Sequence, residues 1–290
     1  MKNTLLISCF FCAAFFCAPA FADITVNQAV IQQGEAVRVS VTPAEKTKSA
    51  YLVFHKRRWP LFPAPDGSLN GFVAVDPDTA PQKYRIQFYG RTSDNVLITM
   101  NTVVTVKKGV FPTSRIEIPK AKKAASAPST IMKESNLIGP LFAQVSTAKR
   151  WSEFLLLPVN GPVTTPYGAS RVYDNGRLAW WHRGVDIYNK KGTPIHAPSA
   201  GKILFSKTLI SHGNTIMIDH GQSVVSVFNH LQTRLVRDGD TVTRGQVIGL
   251  LGDTGIATGP HLHWGLSVGN VRVDPMRWVK KTPPAPKKMQ

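Results

Sequence analysis

The sequence predicts a mainly β protein, in which a Gly-rich antiparallel β-sheet domain follows a small Ig-like β-sandwich. Short runs of alternating or β-branched residues recur through most of the chain between residues 24 and 268. Glycine, proline and aspartate separate these runs, as expected for tight turns. Helix-like spacing of apolar residues is confined to one stretch, residues 132–157, so helices are expected to be few.

Residues 23–110 are predicted to form the Ig-like module, because several short strands separated by turn residues are typical of such a sandwich. The predicted strands are 37–41, 72–75, 84–88 and 96–106. His55 stands alone beside the basic stretch 56–58. That stretch is interpreted as a solvated strand end or, alternatively, as a contact point for an anionic polymer.

Residues 111–157 are predicted to be a linker followed by a helical segment. The stretch 112–130 holds Pro, Lys, Ala and Ser with little apolar content, which is typical of an exposed linker. Residues 132–157 are expected to contain one or two helices that dock on the next domain. The apolar residues with helix-like spacing are Leu137, Leu141, Val145 and Trp151.

Residues 158–280 are predicted to be the Gly-rich sheet domain, and residues 281–290 a disordered tail. The predicted strands of this domain are 202–206, 215–219, 224–228, 246–251 and 261–268. Glycines punctuate the domain closely enough to leave little room for long helices.

The N-terminus has the pattern of a secretory signal peptide. Lys2 precedes an apolar run that ends in Ala20-Phe21-Ala22, so cleavage after Ala22 is predicted. An uncleaved membrane anchor is the alternative, although the apolar run is short for a span. A lipoprotein is disfavoured, because phenylalanine precedes Cys12 and Cys17, where a lipobox needs a small residue. The protein is thus expected to be exported, to the periplasm or cell envelope.

All three cysteines lie inside the predicted signal peptide, so a metal site in the mature chain must use His, Asp or Glu. The whole chain carries 35 Lys+Arg against 17 Asp+Glu, a net charge of +18. Such an excess predicts attraction to an anionic partner. Export makes nucleic acid an unsuitable partner and the anionic cell envelope a suitable one.

Seven of the eight histidines fall between residues 182 and 263, and three places within that range could build a site. His182 and Asp186 are expected on one face of a strand, because residues i and i+4 share a face. His261 and His263 share a face for the same reason, and His230 ends a predicted strand. Two histidine nitrogens and one carboxylate oxygen are a common catalytic zinc set, which leaves a position open for water.

Other hydrolase patterns are absent from the sequence. There is no His-Glu-x-x-His, no Gly-x-Ser-x-Gly and no cysteine outside the predicted signal peptide. The remaining histidines have simpler interpretations: His220 is predicted to have a structural hydrogen-bonding role, and His196 and His212 to be surface or loop residues. Trp180 and Trp181 are expected either to line a substrate groove or to pack at the domain edge, with Tyr167 and Arg183 as weaker candidates for groove contacts.

Several short motifs follow one another between about residue 158 and 278. They include His182-Arg183-Gly184-Val185-Asp186, Gly192-Thr193-Pro194, Asp219-His220-Gly221, Asn229-His230-Leu231 and Gly259-Pro260-His261-Leu262-His263. In these motifs and their order the sequence resembles the LytM/lysostaphin-type zinc metallopeptidases, peptidase family M23. The resemblance implies a LytM-type domain with His182, Asp186 and His263 as Zn²⁺ ligands, and His230 and His261 as the catalytic pair. It also implies an endopeptidase that cuts cross-links or stem peptides of peptidoglycan.

The sequence departs from the family at Phe228-Asn229, Trp264 and Tyr167, which touches substrate preference more than activity. Two other hypotheses remain open. The domain could be a non-catalytic cell-wall-binding module that recruits or activates an amidase. Alternatively, the N-terminal module or residues 132–157 could cover the groove and keep an enzyme latent.

Overall fold

In the computed structural model, the described residues are 22–43, 46–116, 122, 124–152, 154–173 and 178–279. The predicted signal peptide up to residue 21, most of the stretch 117–123 and the predicted tail lie outside them. The described part is mainly β, as predicted, with one α-helix and two short 3-10 turns. No helix in it is long and apolar enough to cross a bilayer.

The front half consists of eight strands that pair into one eight-stranded arrangement. They are β1 (Asp23–Val26), β2 (Val30–Gln32), β3 (Ala36–Thr42), β4 (Thr47–Phe54), β5 (Arg57–Pro63), β6 (Leu69–Ala74), β7 (Lys83–Thr92) and β8 (Leu97–Lys107). The strand order is β1-β3-β6-β5-β4-β7-β8-β2, and all pairs are antiparallel except β2 with β8. The strands predicted here therefore form, while the Ig-like character of the module stays a prediction.

The basic stretch after His55 lies at the turn between β4 and β5. His55 and Lys56 have φ values of 47° and 62°, so they form the tight turn itself. Arg57 and Arg58 are exposed, whereas Trp59 is buried against Gly269 of the back half. The basic stretch is thus a strand end, and the residue that follows it, Trp59, contacts the back half.

The connection between the halves is more ordered than the linker interpretation held. Residues Thr113–Ile116 form strand β9, and the single helix α1 runs over Pro128–Phe142. One helix thus forms in the segment 132–157, where one or two were expected. The described residues 143–152 and 154–157 contain no helix. A proline in the first turn of α1 explains its early start, because proline lacks only an N–H that the helix end would leave unused.

Helix α1 docks on the back half, as expected, through a face that includes Leu141 but not Leu137. Glu134, Ile138 and Phe142 are buried at i, i+4 spacing, whereas Leu137 is 57% exposed. Ile138 and Phe142 pack on five side chains of the sheet, which are Phe205, Leu209, Met217, Val225 and Val227.

The described residues of the back half form thirteen strands after α1. They are β10 (Val163–Thr165), β11 (Ser170–Tyr173), β12 (Leu178–Trp181), β13 (Val185–Tyr188), β14 (Pro194–His196), β15 (Gly201–Leu209), β16 (Gly213–Gly221), β17 (Val224–Leu231), β18 (Thr233–Arg234), β19 (Thr241–Val242), β20 (Val247–Leu250), β21 (His261–Val268) and β22 (Val271–Val273). The five strands predicted for this domain are among them. The main sheet has the order β10-β13-β21-β17-β16-β15-β19, with β22 beside β21.

The two halves share a hydrophobic core and several polar contacts. One cluster of buried side chains includes residues from Ile31 to Val106 and from Trp151 to Val273. Strand β9 pairs in parallel with β11. Arg57 donates a hydrogen bond to the Gly269 carbonyl, and the Gly34 carbonyl accepts one from the Asp274 N–H. The front module therefore packs tightly against the back half.

His220 is fully buried and hydrogen-bonded through both ring nitrogens, as its predicted structural role requires. Its Nδ1 donates to the Ala200 carbonyl at 2.8 Å, so its Nε2 accepts from the Ser226 hydroxyl at 2.9 Å. Burial lowers the pKa of His220 to about 4, and the Ala200 hydrogen bond and nearby Asp219 offset only part of this.

The pH dependence of stability should reveal this buried neutral histidine. The unfolded state binds a proton below about pH 6.5, while folded His220 resists it down to about pH 4. His220 therefore leaves the free energy of unfolding at its full value above pH 6.5. As the pH falls from 6.5 towards 4, protonation of the unfolded state lowers that free energy by about 3 kcal/mol. Denaturant unfolding between pH 7 and 4 should show a smaller fall in His220→Gln than in wild type. An equal fall in the free energy of unfolding with pH in the two proteins would contradict this assignment.

Candidate active site

The three predicted metal ligands come from two neighbouring strands and one loop. Asp186 in β13 lies directly opposite His263 in β21. The prediction that His182 and Asp186 share a strand was wrong. Strand β12 ends at Trp181 and β13 begins at Val185, so His182 lies in the connection between them. The chain turns at Gly184 between them. A side chain at Gly184 would collide with the His263 ring, so glycine is needed for this close approach.

The donor atoms of these three residues converge into a small triangle. His182 Nε2 lies 3.0 Å from Asp186 Oδ1 and 2.9 Å from His263 Nδ1. His263 Nδ1 lies 2.9 Å from the same Asp186 oxygen. All three residues offer donor atoms within 4.8 Å of one another, and His182 and Asp186 are almost inaccessible to solvent.

The protonation pattern of this triangle suits a divalent metal ion such as Zn²⁺. His182 Nδ1 must donate to the Pro166 carbonyl at 2.9 Å, since a carbonyl oxygen only accepts. In this tautomer Nε2 carries the lone pair, and it faces the other two possible ligand atoms, Asp186 Oδ1 and His263 Nδ1. Two imidazole nitrogens and a carboxylate oxygen are a donor set that catalytic zinc sites use. The residues therefore fit such an ion.

The charge state of Asp186 also agrees with this chemistry. Burial by itself raises the pKa of Asp186, but His182 and His263 together hold that pKa well below its usual range. The carboxyl group is thus ionised at neutral pH, which a metal ligand requires.

His230 and His261 stand beside the triangle, with their rings 5.0 Å apart. His230 has a φ of 64°, a conformation that costs energy in most residues and is common at functional sites. Its N–H donates to the His212 carbonyl at 3.0 Å, and its Nδ1 donates to the Thr254 carbonyl at 2.9 Å. His230 is therefore fixed in both backbone and ring orientation.

His261 is oriented in a similar way. Its Nδ1 donates to the Gly259 carbonyl at 2.8 Å, and its Nε2 lies 3.9 Å from Asp186 Oδ1. Burial lowers the pKa of His230 well below 6.5, and His261 and His263 lower it further, so His230 is neutral at neutral pH. Nδ1 of each ring carries the hydrogen that is donated to a carbonyl, so Nε2 is the ring nitrogen that remains available in both residues.

The structure thus brings together all five predicted site residues. Other candidates have different surroundings. Trp181 donates to Asp78 Oδ1 at 2.6 Å and packs on Phe111, which favours the domain-edge interpretation. Tyr167 is buried with its hydroxyl on the Arg272 carbonyl. The side chain of Trp180 lies outside the described part of the structure.

Three more candidates make contacts that the sequence did not predict. Arg183 forms an ion pair with Asp76 at 3.6 Å, a contact to the front module. His196 lies in β14 and binds the Gly245 carbonyl, so it is not a loop residue. His212 does lie in a turn, but it pairs with Glu134 of α1 at 2.6 Å.

Glu134 was not among the predicted site residues. Its signal in the sequence is weak, since it is simply the one acidic residue in α1, at i, i+4 spacing with Ile138 and Phe142. The backbone carbonyls of Pro166, His212 and Thr254 also orient the site, and no side-chain pattern could have predicted them.

Two strands and one loop thus bring two histidines and an aspartate together as a group that could hold a metal ion, flanked by two histidines of fixed orientation. Residues 181–275 match the family model described as Peptidase family M23. The chain therefore contains a domain that matches peptidase family M23, as the sequence motifs predicted. The matched residues include all five site residues and exclude α1.

Relatives and solved structures agree with this assignment. The peptidoglycan DD-endopeptidase ShyC of Vibrio cholerae is 42% identical over 94 residues, which are 32% of this chain and 22% of that protein. The lipoprotein YgeR of Escherichia coli is 34% identical over 133 residues, 46% of this chain and 49% of that protein. The alignments thus span less than half of either relative.

A crystal structure of an M23 peptidase from Pseudomonas aeruginosa is similar over most of this chain. It superposes with a TM-score of 0.65 at 25% identity, and it covers 87% of this chain and 96% of that one. The similarity therefore extends beyond the M23 domain into the front half.

Proposed function

We propose that this protein is an exported zinc metalloendopeptidase that hydrolyses peptide bonds in peptidoglycan cross-links or stem peptides. The observation that carries the proposal is the triangle of His182, Asp186 and His263 donor atoms beside two histidines of fixed ring orientation. A site with only a structural metal would not need the second pair.

The residues divide into two roles. His182, Asp186 and His263 would hold the metal ion, which when bound would polarise the scissile carbonyl and lower the pKa of a bound water. His230 and His261 are each held by a backbone carbonyl on Nδ1, which leaves Nε2 of each ring available for chemistry. One of these rings accepts the proton of the attacking water, and a ring that carries a proton on Nε2 stabilises the developing oxyanion.

The substrate proposal is supported by the named relatives and by charge. ShyC is a peptidoglycan DD-endopeptidase, and its aligned region is similar to the M23 domain of this chain. The net charge of +18 favours attraction to an anionic cell envelope, and added salt would weaken it. The N-terminal pattern of a signal peptide supports export to that compartment.

The alternative, a non-catalytic wall-binding module that activates an amidase, is less consistent with the site. Such a module has no need for a complete donor triangle or for His230 in a strained conformation. All five residues are in place here.

Mass spectrometry of digested muropeptides tests the proposal directly. Zinc-loaded mature protein should convert cross-linked dimers into monomers or shorten stem peptides, and each product mass identifies the bond that is cut. Zinc-loaded protein that binds cell walls but releases nothing would support the binding-module alternative instead. Undiminished cleavage by metal-free protein would contradict the zinc mechanism.

A further inference from the structure

The segment before the M23 domain contacts two loops next to the site. Its first contact is Lys122, whose Nζ donates to the carbonyls of Asp253 and Ala257 at 2.9 and 2.7 Å. The segment from Lys122 to the end of α1 lies outside residues 181–275, which match the family.

The second contact is Glu134, which binds the turn that contains Ser211 and His212. Its Oε1 accepts from the Ser211 N–H at 2.9 Å. Its Oε2 accepts from the His212 N–H at 3.3 Å and lies 2.6 Å from His212 Nδ1. One carboxylate thus satisfies three donors of a single turn.

The same two loops hold His230. The His212 carbonyl accepts the His230 N–H, and the Thr254 carbonyl accepts the hydrogen on His230 Nδ1. The loops also bind each other, because the Ile256 N–H donates to the Ser211 carbonyl at 2.9 Å. Movement of the 211–212 turn would therefore displace both acceptors of His230.

We infer that Glu134 is a positioning residue for His230, which acts through the Ser211–His212 turn and makes α1 a brace for the active site. This inference rests on the proposed function for its effect on turnover. The restraint on the His230 ring, which is the structural part of the inference, does not depend on the proposed function.

Burial explains why Glu134 has this role. The residue is 6% exposed, beside the apolar contacts of Ile138 and Phe142 on the same helix face. A carboxylate is costly to bury there unless it receives strong hydrogen bonds. Replacing it with an apolar residue would leave the Ser211 and His212 N–H groups without this acceptor, and the turn would shift to find another.

A positioning role and an inhibitory role for α1 predict opposite changes in turnover when the contacts of α1 are weakened. If α1 covered the groove to inhibit an enzyme, weakening its contacts would raise turnover. If it positions His230, weakening them lowers turnover, because a small misplacement of a reacting group is costly.

The test uses the full mature chain loaded with zinc and a purified cross-linked muropeptide dimer. Glu134→Ala should lower kcat about tenfold while KM stays within about twofold, since substrate contacts are unchanged. Glu134→Gln should recover most of kcat, because its amide oxygen still accepts from Ser211. Ser135→Ala, an exposed neighbour in α1, is the matched control and should be unaffected.

A second readout is independent of activity. The Nδ1 hydrogen of His230, identified by its loss in His230→Asn, should give a protected NMR signal in wild type, Glu134→Gln and Ser135→Ala. It should exchange faster or disappear in Glu134→Ala. Glu134→Asp, which retracts the carboxylate by one methylene, should also weaken it and serves if the alanine variant does not fold.

The outcomes separate this inference from the proposed function. If wild type cleaves nothing, the proposed function fails, and the NMR comparison still decides the brace. Unchanged His230 signals in Glu134→Ala and Glu134→Asp would overturn the inference, as would a higher kcat in either variant.

Discussion

Replacing His230 with asparagine is expected to lower hydrolysis of cross-linked muropeptides about 10²–10⁴-fold, the range that a positioned acid–base group supplies. Asparagine is chosen because it tolerates a φ of 64° better than alanine does. The backbone at this position can therefore stay as it is, and the loss reports on the ring. Steady-state kinetics on zinc-loaded protein measures the effect, and zinc content should remain that of wild type.

His196→Asn is the matched control for this variant. His196 is partly buried and also binds a backbone carbonyl through Nδ1. It lies in β14, which belongs to a different sheet from the strands of Asp186, His230, His261 and His263. Its replacement should leave kcat nearly unchanged. A His230→Asn protein with wild-type turnover would remove His230 from the proposed mechanism.

Replacing Asp186 with alanine is expected to abolish zinc retention and, with it, activity. The carboxylate supplies the one negative charge that the proposed ligand set contains, and it bridges both ligand histidines. Zinc bound to the folded state alone stabilises that state, by about 4 kcal/mol at a thousand times its Kd. Chelation should therefore lower the melting temperature of wild type and not that of Asp186→Ala.

Elemental analysis and thermal unfolding, each with and without chelator, measure these effects. Asp94→Ala, an exposed position in the front half, is the control and should bind zinc like wild type. Re-addition of zinc should restore activity and melting temperature to the chelated wild type. Stoichiometric zinc in purified Asp186→Ala would contradict the ligand assignment.

The parts of the fold and site with short-range patterns could be predicted from sequence. His261 and His263 face one side because strand residues alternate, and the strand was evident from its composition. The five strands predicted in the back half form for the same reason. The family motifs added the grouping of His182 and Asp186 with them.

Features that depend on long-range pairing could not be predicted in this way. Asp186 meets His263 because β13 and β21 pair in one particular register, which nothing local determines. His182 reaches them from a loop, so strand periodicity gave the right neighbours for an incorrect reason. Glu134 and His212 are 78 residues apart. Strand β9 was interpreted as linker. Its stabilising hydrogen bonds come from β11, which is distant in the sequence, and local composition does not reveal such a partner.

Strand β9 limits how this protein can be recombined with others. It follows the front module in the chain, yet it extends a sheet of the back half through β11. A crossover placed before residue 113 would transfer β9 together with the peptidase domain, whereas one placed after residue 116 would leave β11 with an open edge. Chimeras that exchange front modules should therefore be joined before β9, and the module is not an independent cassette despite its sequence boundary.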